Sequence, residues 1–158
     1  MDRRGRNSER GKSGARGIDA LREKLDAIGP DAIVRSVRGA RSASDRCTIS
    51  VASPGERPIG FTIDGVAAAG TDAHVALVTG DAFGAPGYVR IMPGDAWTEE
   101  LASRVRAAVE RDRARRDAMG ALSRAPMSRR RLERKLRDKG HKGDVASGVA
   151  DDLERMGL

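Results

Sequence analysis

Apolar residues recur along this chain with two different periods, and the change of period divides it. Ile18, Leu21, Leu25 and Ile28 are spaced three, four and three apart, which places them on one stripe of a short amphipathic helix. Gly29-Pro30 ends that helix, because proline restricts the residue before it and glycine tolerates the turn. A helix this short does not persist alone in water, so it must dock on something.

From Ala32 to Met92 the alternation is of period two. Ile33, Val34 and Val37 precede a loop from Gly39 to Ser44. Cys47, Ile49 and Val51 then alternate with Thr48 and Ser50, Pro54-Gly55 interrupts, and Ile59, Phe61 and Ile63 begin another run. Asp64-Gly65 is a tight-turn dipeptide. Val75, Leu77 and Val78 follow, then a Gly- and Pro-rich loop from Gly80 to Gly87, then Tyr88, Val89 and Ile91. Short runs with short turns predict a small antiparallel sheet of unspecified strand order.

Helical spacing returns after Pro93-Gly94-Asp95. Thr98 is a good cap, and Glu99 and Glu100 fall in the first turn, where carboxylates favour the positive end of the helix dipole. Trp97, Leu101, Val105, Ala108 and Val109 share a face, and Met119 and Leu122 continue an apolar stripe. Glu110 to Asp117 is nearly all charged, which predicts one long helix with a solvated middle. Ser128 caps a second helix carrying Leu132 and Leu136, stopped by Gly140 in the left-handed conformation. Asp144 is placed as the cap of a third, with Val145, Val149, Leu153 and Met156 at helical spacing. The expected helical core is Leu122, Leu132, Leu136, Val145, Val149 and Leu153. The fold class is α+β: a disordered basic tail over 1–17, a short helix plus a small β-rich domain over 18–95, and a helical unit over 96–158.

Composition sharpens this picture. Only 3% of residues are aromatic and 34% are charged, so any core is small and built from Val, Ile, Leu and Ala. The net charge of +7 is uneven: Ser103 to Lys139 holds fourteen Arg/Lys against five Asp/Glu, whereas Ala40 to Thr98 holds four against six. A basic third points to polyanions or acidic protein surfaces as partners. The single cysteine, Cys47, excludes an intrachain disulfide and a thiolate zinc cage. No apolar run approaches the roughly 20 residues that span a bilayer, and the N-terminus lacks the apolar stretch of a secretory signal. A cytoplasmic monomer without membrane contact is expected.

The residues from Ala121 to Leu158, ALSRAPMSRRRLERKLRDKGHKGDVASGVADDLERMGL, carry a denser pattern. An alanine-leucine pair and an arginine precede a serine-led helix of the form S-x-x-x-L-x-x-K-L-x-x-K-G, and a further helix ends in L-x-x-x-G-L. Ser128, Leu132, Lys135, Leu136, Lys139, Gly140, Leu153, Gly157 and Leu158 fall in register with it. In this pattern the chain resembles the first three-helix repeat of the RecX family of recombination regulators. Pro93-Gly94-Asp95 with Thr98-Glu99-Glu100-Leu101 looks like the entry to that family's N-terminal helix. The resemblance implies a role in DNA repair and recombination: binding in the groove of the RecA–DNA filament and restraining the recombinase. Two departures accompany it. His141 stands where the family usually has an aromatic residue, and one repeat is present where the family has three in tandem.

The residue chemistry agrees. Arg129, Arg130, Arg131, Arg134, Lys135, Arg137 and Lys139 surround the narrow Leu132–Leu136 seam and repel one another by about 0.2–0.5 kcal/mol per neighbouring pair. Phosphates or carboxylates relieve that repulsion, and arginine's planar fork suits both. These seven are the expected partner or nucleic-acid contacts; a merely solvated face is the bland alternative. His74 and His141 are isolated and make no metal site, Asp151-Asp152 reads as helix surface, and Gly11-Lys12-Ser13 lacks the lead of a phosphate loop. No catalytic constellation, cofactor or metal is expected. Besides a RecX-like regulator, two readings stay open: a basic DNA-binding protein acting without a recombinase, and a truncated, inactive relative.

Overall fold

The computed structural model describes residues 17–39, 46–64, 76–79 and 88–158. The tail over 1–16 with its Gly11-Lys12-Ser13 triplet, loop residues 40–44, Gly65, His74, Val75 and the 80–87 loop lie outside the described residues. Gly17, expected in the tail, already belongs to helix α1, residues 17–26. Strands β1 (Ile33–Gly39), β2 (Arg46–Ala52), β3 (Ile59–Asp64), β4 (Ala76–Thr79) and β5 (Tyr88–Ile91) follow. Helices α2 (Glu99–Leu122), α3 (Arg129–Asp138) and α4 (Gly143–Arg155) complete an α+β chain. It forms two compact units, one of residues 23–109 and one joining the residues up to Arg22 with Glu110–Leu158. The division therefore falls inside α1 and α2, where the sequence alone sets it at residue 95.

In the first unit β1, β2 and β3 form an antiparallel sheet in that order, and β4 and β5 pair separately. Register aligns Val37 with Ile49 and Phe61, and Val34 with Val51 and Ile59, so one face carries the apolar row after row. Cys47, Ile49, Val51 and Ile63 are completely buried, and burial pushes the Cys47 thiol up. Val34 and Val37 share this face despite their odd spacing, because the register shifts between Val34 and Ser36. Arg35 is the extra residue of a bulge there. The opposite face is polar: Arg38, Thr48 and Thr62 stand in one row, and the two threonine hydroxyls are 3.3 Å apart. The segment after β5 flanks β1 on its free edge. Asp95 and Ala32 carbonyls accept from the Val34 and Trp97 amides, and Trp97 meets Phe61 with ring centroids 6.0 Å apart.

Within the first unit, Thr98 Oγ1 accepts from the Leu101 amide 3.2 Å away and caps α2 as the sequence predicts. The second unit holds the start of α1, the end of α2, α3 and α4. Ala114, Ala118 and Ala121, at i, i+4 and i+7, put a strip of small side chains beside Leu132, Leu136, Ala146, Val149, Ala150 and Leu153. Leu122 and Val145, expected at the centre of this core, pack at its margin and are only partly buried, and Met119 is exposed. The alanines occupy the inward face of α2 instead. Gly140 and Gly157 both adopt positive φ, 94° and 81°. After each, the chain closes the preceding helix in the same way. The His141 amide donates to Leu136 O and Gly140 to Arg137 O; Leu158 donates to Leu153 O and Gly157 to Glu154 O. These paired bonds are the Schellman closure that glycine permits without strain. Lys142, not Asp144, occupies the N-cap of α4; Asp144 lies in its first turn.

Candidate functional site

The seven cations expected on α3 divide into two groups. Leu132 and Leu136 anchor the helix through one buried stripe, so residues on the far side face solvent. Arg130, Arg131, Arg134 and Arg137 are exposed and meet no carboxylate among the described residues. Lys135 is half-buried and equally without an acidic partner among them. Ser128 holds the N-cap position, but its hydroxyl makes no cap bond, and no acidic residue lies in the first turn. Three arginines thus stand at the positive end of the helix dipole, where cations are disfavoured by about 0.3–1 kcal/mol each.

Arg129 and Lys139 are engaged internally. The Arg129 guanidinium reaches Glu133 at 2.9 Å on its own helix, and Asp151 at 2.6 Å and Glu154 at 3.3 Å on α4. The hydrogen bond to Glu133 and these neighbouring carboxylates raise its already high pKa. Lys139 Nζ lies 2.9 Å from Asp117 Oδ1, and His141 Nε2 lies 2.8 Å from Asp117 Oδ2. Burial pushes the Asp117 carboxyl up, but the bonds from His141 and Lys139 and the charges of Lys139 and Arg113 outweigh it and hold it at about 2. These two cations fasten the helices to one another, so the candidate surface is narrower than the sequence indicates.

Sequence reasoning missed this interior network. The charged middle of α2 is solvated on one side only: Arg115 and Arg116 are exposed, whereas Glu110 is 9% exposed and Asp112 3%. Glu110 receives a two-pronged bond from Arg22 of α1, Nε to Oε1 at 2.8 Å and Nη2 to Oε2 at 3.2 Å. The same guanidinium donates to Gly140 O at 3.3 Å, which ties the turn between α3 and α4 to α1. Asp112 pairs with Arg116 at 2.8 Å, and Arg111 and Arg155 both reach Asp152. His141, taken as an isolated loop residue, is 4% exposed. Its position directly after the helix-closing glycine turns it inward. The alanines at i, i+4 and i+7 within 114–121 were the signal that this stretch has a buried face.

Among the described residues no group of acidic, histidine or cysteine side chains is placed to hold a metal ion, and no helix is long and apolar enough to cross a membrane. What the site offers is a helical face bearing a row of guanidinium groups without acidic partners among the described residues, and such groups suit the recognition of anions. No protein-family model matches the chain, and comparison with curated proteins and with solved structures yields no match.

Proposed function

We propose that this chain is a RecX-like regulatory protein that binds the RecA–DNA filament and restrains the recombinase in DNA repair, acting by contact rather than catalysis. One observation carries the reading. Arg130, Arg131, Arg134 and Arg137 stand exposed without acidic partners among the described residues, while Arg129 and Lys139 beside them are neutralised internally. A helix that leaves its central cations unpaired, beside neighbours that are paired, keeps them for an external anion. The resemblance of Ala121–Leu158 to the family's first repeat names the assembly that supplies it, and the α2–α3–α4 unit with two glycine-closed helices is in keeping with that repeat. On this reading the protein works as a cytoplasmic monomer without a cofactor.

The test is the effect of the purified chain on recombinase-catalysed ATP hydrolysis and strand exchange. The wild-type protein slows both, and the combined Arg130→Glu, Arg131→Glu, Arg134→Glu variant, with its fold checked by circular dichroism, slows neither. A folded wild-type protein that leaves both rates unchanged at low ionic strength overturns the reading.

A further inference from the structure

What the α3 face lacks narrows what can cover it. Arg130, Arg134 and Arg137 recur at i, i+4 and i+7 and form one row, with Arg131 alongside. At a rise of about 1.5 Å per residue the row extends over about 10 Å. No apolar or aromatic side chain is exposed within it; the large apolar residues exposed among the described residues, Met119, Met156 and Leu158, lie outside α3. A protein–protein contact is sealed by a desolvated apolar or aromatic centre, and this face offers none. The strongest stacking platforms for unpaired bases are aromatic rings, which are equally missing from α3. Reading base edges requires side chains held at a set angle by buttressing partners, whereas these four guanidinium groups have no acidic partner to orient them among the described residues.

A ligand that repeats a negative charge at regular intervals, and tolerates variable approach, meets all three conditions. We propose that α3 lies along a nucleic-acid phosphodiester backbone, with one phosphate contact for each of Arg130, Arg131, Arg134 and Arg137 and no base readout. The inference rests on the reading that this face is the working surface, and it assigns the contact to the nucleic acid rather than to an acidic surface of the recombinase.

Counterion release provides the measurement, because the salt dependence of binding counts phosphates neutralised. Full-length protein is titrated, by fluorescence anisotropy, onto labelled duplexes of two unrelated sequences and onto a single strand, across a series of NaCl concentrations. Four contacts predict a slope of log K against log salt of about −3.6 on duplex and about −2.8 on single strand. The two duplexes bind equally. Arg130→Gln, Arg134→Gln and Arg137→Gln each flatten the duplex slope by about 0.9. Arg129→Gln, which removes a surface cation already paired with carboxylates of the same chain, leaves it unchanged. Unaltered slopes in the three glutamine variants, or a strong preference for one duplex, overturn the proposal. If the protein ignores bare duplex and single strand but restrains the assembled filament through these arginines, the phosphate assignment fails while the regulatory function stands. If it binds bare DNA with the expected slopes yet never slows the recombinase, the assignment stands and that function fails.

Discussion

The two units of this chain bury different mixtures of residue. The β-containing unit fills its interior with Val34, Val37, Ile49, Val51, Phe61, Ile63 and Trp97. The helical unit is lined by alanines and a few leucines and valines, and it also takes in Glu110, Asp112, His141 and most of Asp117. The difference follows from the side-chain volume available. β-Branched residues on a pleated face cover area quickly, whereas the small α2 strip of Ala114, Ala118 and Ala121 buries little. The helical unit supplements that area with ion pairs, whose strength depends on protonation and salt as apolar burial does not. One unit is held mainly by area and the other in part by charge.

The largest effect is expected where area dominates. Trp97→Ala removes the ring that meets Phe61 and should cost about 3–5 kcal/mol in urea denaturation, with little change between low and high salt. A cost that shrinks markedly with salt would erase the contrast between the units.

Asp117 gives the next largest effect and a sign. Its folded pKa of about 2 lies below the ordinary 3.8, so the native state binds this proton more weakly than the unfolded chain does. The stabilisation is therefore present above about pH 4 and is lost as pH falls towards about 2. A shift of this size corresponds to about 2 kcal/mol. Asp117→Asn should lower stability by about that amount at neutral pH, and its curve should converge on the wild-type curve in acid. A difference that stays constant down to the acid limit would show that charge is not what His141 and Lys139 gain from this carboxylate.

Arg129 marks the lower end. It is exposed, and although it reaches three carboxylates, solvent and salt screen surface pairs and leave them a small contribution. Arg129→Gln should lower the urea midpoint less than Asp117→Asn does, and the loss should fade as salt is raised. A larger loss that salt does not touch would mean that the arginine stem packs between α3 and α4.

Much of the architecture could be read before any coordinates. Buried Ile18 and Leu25 on α1, the alternation of Cys47, Ile49 and Val51, the Thr98 cap and the stop at Gly140 all appear as the local pattern predicts, while Leu21 is only partly buried and Ile28 lies beyond the helix end. Three features did not. The bulge at Arg35 breaks the alternation of β1, so Val34 and Val37 share a face only because β2 pairs with a shifted register. Asp144 has the chemistry of a cap, yet the Schellman turn at Gly140 sets the start of α4 at Lys142. The charged run in α2 reads as solvated because its partners, Arg22, Lys139 and His141, are far away in sequence.

Periodicity, caps and turn glycines act between residues a few positions apart, so the sequence alone determined the elements of this protein and the cationic character of α3. Whether a given cation is free depends on where a carboxylate from another helix comes to rest. Tertiary structure alone decided that Arg129 and Lys139 are consumed within the fold while Arg130, Arg131, Arg134 and Arg137 keep their charge uncompensated. Arg129 meets Asp151 and Glu154, and Lys139 meets Asp117, across space, between groups that the order of the chain does not bring together.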